Sequence, residues 1–294
     1  HRWGNTLPSS HPGQVEQTMW KAGEGAGHGQ TAGGGCFCAV CGAWRGQLGL
    51  EPNPDLFVGH LVEVFRKVRR VLRDDGLLFV NLADSYLGSG KAGQNPAYKA
   101  HHVHMGKVQD MGTYPNPVKV PKGMQAKSMA GIPHRFVVAM IEDGWLLRNE
   151  ISWVKGISFL DCWSGSVMPS SAKDRFTVST EPIFMFSKGP KYFFDMHAVL
   201  EQGTFPAGTK AAKGSGTREG NRRPAEYVEY SGTRQPRTAW AIPTEPSKEQ
   251  HYAAWPQRLV SIMIRCGTSE RGCCAACGAP WERLTKSNSP GTLG

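Results

Sequence analysis

Residues 53–86 constrain the fold more than any other stretch of the chain. Asn53-Pro54-Asp55 is a helix start written out in residues. Asn caps the first turn, Pro suits the first helical position, and Asp suits the positive end of the helix dipole. Phe57, Leu61, Val64, Val68 and Val71 follow at the three-four spacing of one helix face. Gly76 stops the helix, and Leu77 to Leu82 forms a short apolar run that breaks off into Asp84-Ser85-Tyr86. This predicts a helix feeding a buried strand, with the strand's carboxyl end open for chemistry, where open α/β sheets place their ligands.

Downstream, Gly131-Ile132-Pro133 opens a second helix and Asp143-Gly144-Trp145 closes it. Leu147 to Val154 reads as a strand with Ile151 and Trp153 on one face. Residues 156–180 read as a loop. Pro182 to Ser187 reads as a further strand, and Tyr192-Phe193-Phe194 as another, joined through the turn Lys188-Gly189-Pro190 into an antiparallel hairpin. A last amphipathic helix carries Leu259, Ile262, Met263 and Cys266.

The segments resemble, in their order, the site-specific DNA amino-methyltransferases that act on cytosine N4 or adenine N6, in the permuted, phage-type arrangement. The resemblance rests on Arg70-Val71-Leu72-Arg73-Asp74-Asp75-Gly76, Asp84-Ser85-Tyr86, Gly131-Ile132-Pro133, Asp143-Gly144-Trp145 and Ile151-x-Trp153-x-Lys155. It continues through Glu181 to Asp195, with Lys188 and Tyr192, and ends in His251-x-x-x-x-Pro256. It implies a Rossmann-like class I methyltransferase sheet with helices on both faces and an antiparallel hairpin at one edge, to which the cysteine spacing independently adds zinc-knuckle insertions. It also implies methyl transfer from S-adenosylmethionine to a base flipped out of duplex DNA, in a cytoplasmic restriction-modification setting. The parts expected are a Gly-rich insertion over 1–50, a partial catalytic core over 51–200, a target-recognition insert over 201–250, and a cofactor-side helix with a second knuckle over 251–294.

Asp84, Ser85 and Tyr86 are the expected pocket residues; Asp84 would otherwise only cap a turn. His251, Trp255 and Pro256 match a family motif near the adenosine of the cofactor, and could equally serve as a packed helix start. The family's catalytic tetrapeptide, Ser or Asp followed by Pro-Pro-Tyr, does not occur before residue 50, and the cofactor loop expected after the last helix is absent. The chain therefore reads as an internal piece, beginning at His1 rather than Met, and is expected to be inactive alone.

Charge and cysteines add independent information. The net charge of +10 suits a polyanion, and Arg218, Arg222, Arg223, Arg234 and Arg237 crowd the insert, where they could contact phosphates or guanine edges. Trp240 and Ile242 suggest that the insert folds back on the core. The eight cysteines are clustered, which favours metal sites over a disulfide framework. Cys38-x-x-Cys41-Gly and Cys274-x-x-Cys277-Gly each have the form of a zinc knuckle with two of four ligands. His1 or Cys36 could complete the first, residues past 294 the second, or both could share one zinc; free thiols are the alternative. Cys162 and Cys266 read as ordinary buried cysteines. Two rival functions remain: a non-catalytic zinc-knuckle nucleic-acid-binding protein, and a methyltransferase of RNA or a small molecule.

Overall fold

The computed structural model describes residues 20–22, 36–38, 40–46, 48–49, 51–87, 120–121, 123–159, 161, 165–170, 172–212, 227–246 and 254–284. These fall into two compact units. The first comprises residues 1–71 and 82–144, the second residues 72–81 and 145–294.

In the first unit, strands β1 (Trp20–Ala22), β2 (Cys36–Cys38) and β3 (Trp44–Arg45) form a small antiparallel sheet. Helix α1 (Pro54–Val71) begins where the sequence places it: Asn53 Oδ1 accepts from Leu56 N at 2.8 Å. It packs against helix α2 (Ile132–Glu142), burying Val58, Leu61, Val62, Phe136 and Met140. The rings of Phe65 and Phe136 meet at 5.3 Å and 57°. Three polar contacts fix the pair. Arg66 Nε donates to Asp143 Oδ1 at 2.6 Å, Arg69 Nη1 to the Gly144 carbonyl at 2.8 Å, and Arg135 Nη1 to Asp55 Oδ1 at 2.6 Å. The basic face of α1 is thus partly spent on packing.

The second unit is built on a mixed four-stranded sheet of an α/β fold. Its members are β4 (Leu77–Asn81), β5 (Leu146–Val154), β6 (Thr180–Ser187) and β11 (Ala239–Ala241), in the order β11-β5-β6-β4. β6 runs antiparallel to both β4 and β5, while β11 is parallel to β5. Successive side chains of the uninterrupted apolar run Ile183-Phe184-Met185-Phe186 point to opposite faces of the sheet and all are buried, and β6 is a central strand with a neighbour at each edge. In β5 the predicted alternation holds, with Ile151 and Trp153 buried on one face.

This order corrects the predicted edge hairpin. Tyr192-Phe193-Phe194 is not a strand. Both edges of β6 are already occupied, so nothing is left for it to pair with. The segment instead turns back on the loop before β4: Phe193 N donates to the Asp75 carbonyl at 2.8 Å, and Arg148 Nε donates to Tyr192 Oη at 3.1 Å.

Helix α3 (Gln257–Gly267) seats Leu259, fully buried, in a core cluster with Ile151, Trp153, Ile183 and Ile242, flanked by Phe79, Trp240, Ile262 and Met263. Its amino end lacks a cap of its own, and Glu245 Oε2 accepts from Gln257 N at 3.0 Å. The insert does fold back on the core through Trp240 and Ile242. Before them it forms two short antiparallel pairs, β7 (Glu201–Gln202) with β10 (Thr233–Arg234), and β8 (Lys210–Ala212) with β9 (Tyr227–Glu229). Among the described residues no helix is long and apolar enough to cross a membrane.

Candidate functional site

In the second unit, one edge of the sheet collects polar groups. β4 and β5 end there, and β6, running the other way, begins there: Asn81 lies opposite Ile183, and Val154 opposite Thr180. The register puts Trp153 across from Glu181. Lys155, two residues past Trp153, pairs with the Glu181 carboxylate while its ammonium lies 4.5 Å from the Trp153 ring centroid. Trp153 Nε1 donates to the Ile242 carbonyl at 2.8 Å, which ties β5 to the residue after β11. Asn81 is held from both sides: its Nδ2 donates to the Pro182 carbonyl at 3.0 Å, and its Oδ1 accepts from Trp255 Nε1 at 3.1 Å. Trp255 is 52% exposed, so one side of a fixed indole stays open at the carboxyl ends of β4 and β5. Pro256, fully buried, anchors the start of α3 beside it. The edge thus offers a flat apolar surface, a locked amide and a fixed ion pair, an arrangement suited to holding an aromatic ligand by contact. His251 lies outside the described residues.

Asp84, Ser85 and Tyr86 belong to the first unit. Helix α2 starts at Gly131, whose φ of 71° is left-handed and whose lack of a side chain leaves the helix start uncapped. Asp84 supplies the missing cap from far upstream in the chain. Its Oδ2 accepts from Gly131 N at 2.9 Å, and its Oδ1 from Ile132 N at 3.1 Å and Ser85 N at 2.9 Å. The next residues extend the attachment: Ala130 N donates to the Ser85 carbonyl at 2.9 Å, Tyr86 bridges to Met129, and Leu87 N donates to the Ser128 carbonyl at 2.8 Å. Ser85 is exposed and Tyr86 half-buried. The carboxylate is therefore taken up by backbone donors, at a helix terminus that favours negative charge.

Of the arginines in the insert, Arg234 donates to Glu201 Oε1 at 2.8 Å, and Arg237 is exposed. Arg218, Arg222 and Arg223 lie outside the described residues. Cys38 and Cys274 each receive backbone N–H groups at their sulfur, and Cys41 and Cys277 are exposed. Among the described residues, no group of three or more His, Cys, Asp or Glu side chains is placed to hold a metal. Cys266 is buried on α3, where its thiol donates to the Met263 carbonyl at 3.3 Å and burial pushes its pKa up to about 11.

Sequence reasoning did not single out Asn81, and it noted Lys155 and Glu181 only as motif members. The signal available was the spacing Trp153-x-Lys155 facing Glu181-Pro182, which becomes a cluster only once the antiparallel register is known.

The family model described as DNA methylase, for N6 and N4 methyltransferases, matches residues 29–275. Type II methyltransferase M.SmaI of Serratia marcescens is 32% identical over 227 residues, covering 77% of this chain and 64% of that protein. M.Cfr9I of Citrobacter freundii is 33% identical over 222 residues, covering 76% and 60%. The chain thus spans about three fifths of the length of these relatives. Among solved structures, a PvuII DNA methyltransferase named as cytosine-N4-specific aligns with a TM-score of 0.40 at 16% identity, over 73% of this chain and 57% of that one. So distant a likeness fixes nothing about the site. The match along most of the chain runs against a purely nucleic-acid-binding protein. With a family model covering residues 29–275 and relatives near one-third identity, this chain belongs to the N6/N4 DNA methylase family.

Proposed function

We propose that the protein to which this chain belongs transfers a methyl group from S-adenosylmethionine to the exocyclic amino group of cytosine (N4) or adenine (N6) in duplex DNA. The observation that carries this reading is the family match over residues 29–275. The chemistry sets clear demands. An exocyclic amine is a poor nucleophile because its lone pair is delocalised into the ring. It must be lifted from the duplex, stacked, and hydrogen-bonded so that nitrogen gains basicity as the methyl group approaches. S-adenosylmethionine, when bound, supplies an electrophilic methyl group on sulfonium.

The residues at the strand edge fit an adenosine-bearing donor. The open indole of Trp255, pinned by Asn81 and backed by Pro256, suits a purine ring, and His251 is four residues upstream of Trp255. We assign Ser85 and Tyr86 to the wall of the base pocket, with Asp84 as the residue that positions them by capping α2. Arg237, exposed on the insert, contacts the DNA backbone together with Arg218, Arg222 and Arg223, while Arg234 reaches DNA only by leaving Glu201. The net charge of +10 supports a polyanionic substrate.

The test is to express the whole protein in cells that lack other adenine and cytosine amino-methylation, digest their DNA to nucleosides, and analyse them by mass spectrometry. N4-methylcytosine or N6-methyladenine above the background of an empty vector supports the reading, and the product decides between the two bases. Unmodified DNA from cells that contain folded, donor-binding protein refutes it.

A further inference from the structure

Two segments of this chain repeat one another: Cys38-Ala39-Val40-Cys41-Gly42-Ala43-Trp44 and Cys274-Ala275-Ala276-Cys277-Gly278-Ala279-Pro280-Trp281. The structure builds both the same way. In the first, Gly42 N donates to the Cys38 carbonyl at 2.9 Å and Cys38 N to the Ala43 carbonyl at 2.8 Å. In the second, Gly278 N donates to the Cys274 carbonyl and Cys274 N to the Ala279 carbonyl, both at 2.8 Å. Gly42 and Gly278 take φ of 68° and 73°, a left-handed conformation that favours glycine at both places. Each turn closes an antiparallel pairing, Phe37 with Trp44 in one and Cys273 with Pro280 in the other.

The consequence falls on the first sulfur of each pair. The backbone N–H groups of Cys41 and Val40 point at Cys38 Sγ, and those of Cys277 and Ala276 at Cys274 Sγ. In both cases the second cysteine of the pair adds its own hydrogen bond to the same sulfur. A neutral thiol is a weak acceptor, so two convergent amides suit a thiolate. Two thiolates on one tight turn repel each other until a cation lies between them, and sulfur donors select a soft metal over magnesium or calcium. Cys266 shows the contrast: it lies within helix α3 rather than in such a turn, and its thiol donates to the Met263 carbonyl.

We propose that Cys38 with Cys41, and Cys274 with Cys277, are zinc-ligand pairs, each supplying two of the four positions of a structural zinc site. Among the described residues no third ligand stands beside either pair, and each pair is half of a four-ligand site. The sites stabilise their hairpins and take no part in methyl transfer. The proposal stands independently of the enzymatic reading, and its test reads metal rather than methylation.

The protein is purified with reductant and zinc, dialysed, and analysed for metal by elemental mass spectrometry. It is then exchanged with cobalt(II), and the near-ultraviolet sulfur-to-cobalt charge-transfer absorption is recorded. Stoichiometric zinc and a strong thiolate band are expected. Both should fall in Cys38→Ser/Cys41→Ser and in Cys274→Ser/Cys277→Ser, and persist in Cys266→Ala. Protein that retains no zinc, that shows no charge-transfer band with cobalt, or whose knuckle cysteines are joined as disulfides overturns the proposal. If the serine variants fail to fold, the cobalt spectrum of the unaltered protein still decides, because it requires no substitution.

Discussion

Replacing Asp84 by alanine removes the side-chain cap of helix α2. The carboxylate accepts three backbone N–H groups, two of them, Gly131 and Ile132, at the helix start. A lost cap costs about 1 kcal/mol. A lost negative charge at a helix amino end adds about 0.3–1 kcal/mol. Released donors at this half-buried position regain water, so the third hydrogen bond adds little, and the total is about 2 kcal/mol. Fraying of α2 exposes Phe136 and Met140, both fully buried, which makes the loss cooperative rather than local. For a domain of this size the loss corresponds to a fall in melting temperature of about 4–8 °C. Asp84→Asn keeps an acceptor oxygen and loses the charge, so about half that fall is expected. The assay is thermal unfolding followed by circular dichroism, with all proteins at one pH and concentration. An Asp84→Ala protein that melts with the wild type would refute the capping argument. Such a protein, if it were also inactive, would return Asp84 to a direct role in the pocket.

Two further outcomes follow from single contacts. Trp255→Ala removes the open indole and should weaken binding of S-adenosylhomocysteine about tenfold, about 1.4 kcal/mol, by titration calorimetry; the melting temperature should barely move, because half of the residue is in water, and unchanged affinity would exclude Trp255 from the cofactor site. Cys266 has a folded pKa of about 11 against an ordinary 9.0 because burial disfavours its thiolate. The protonated thiol therefore stabilises the fold fully below pH 9, and that contribution, up to about 3 kcal/mol at about 1.4 kcal/mol per tenfold change in proton activity, is lost as pH rises through 11. Alkylation of native protein near pH 8, read by peptide mass spectrometry, should spare Cys266, and prompt labelling would contradict its burial.

Local chemistry carried most of what was legible in the sequence. Asn53-Pro54-Asp55 announced α1, Gly131-Ile132-Pro133 announced α2, and alternation announced β5, because each signal lies within a few residues of its effect. The two Cys-x-x-Cys-Gly turns were legible for the same reason, since a turn is decided by its own residues. What was not legible depends on register and on distant partners. Tyr192-Phe193-Phe194 has strand-like composition, yet β4 and β5 had already taken both edges of β6. The three-residue strand β11 is too short to show a period and exists because it pairs with β5. Asp84 reads as the end of a strand, and only the fold reveals that its partner is a helix start almost fifty residues later. Likewise Lys155 and Glu181 become neighbours only through an antiparallel register, so a cluster of polar groups was hidden inside two ordinary motifs.

The placement of β6 between β4 and β5 has a consequence for how the chain folds as it is made. Phe79 faces Met185, so β4 has no strand partner until about a hundred further residues have been synthesised. At ribosomal speeds of about 5–20 residues per second, an apolar strand waits for about 5–20 seconds with its edge groups unpaired. β5 waits only for the loop over 156–179 and pairs almost at once with β6. A nascent chain should therefore close the β5–β6 pair first and admit β4 afterwards, so the earliest strand of this sheet to leave the ribosome is among the last to find its place.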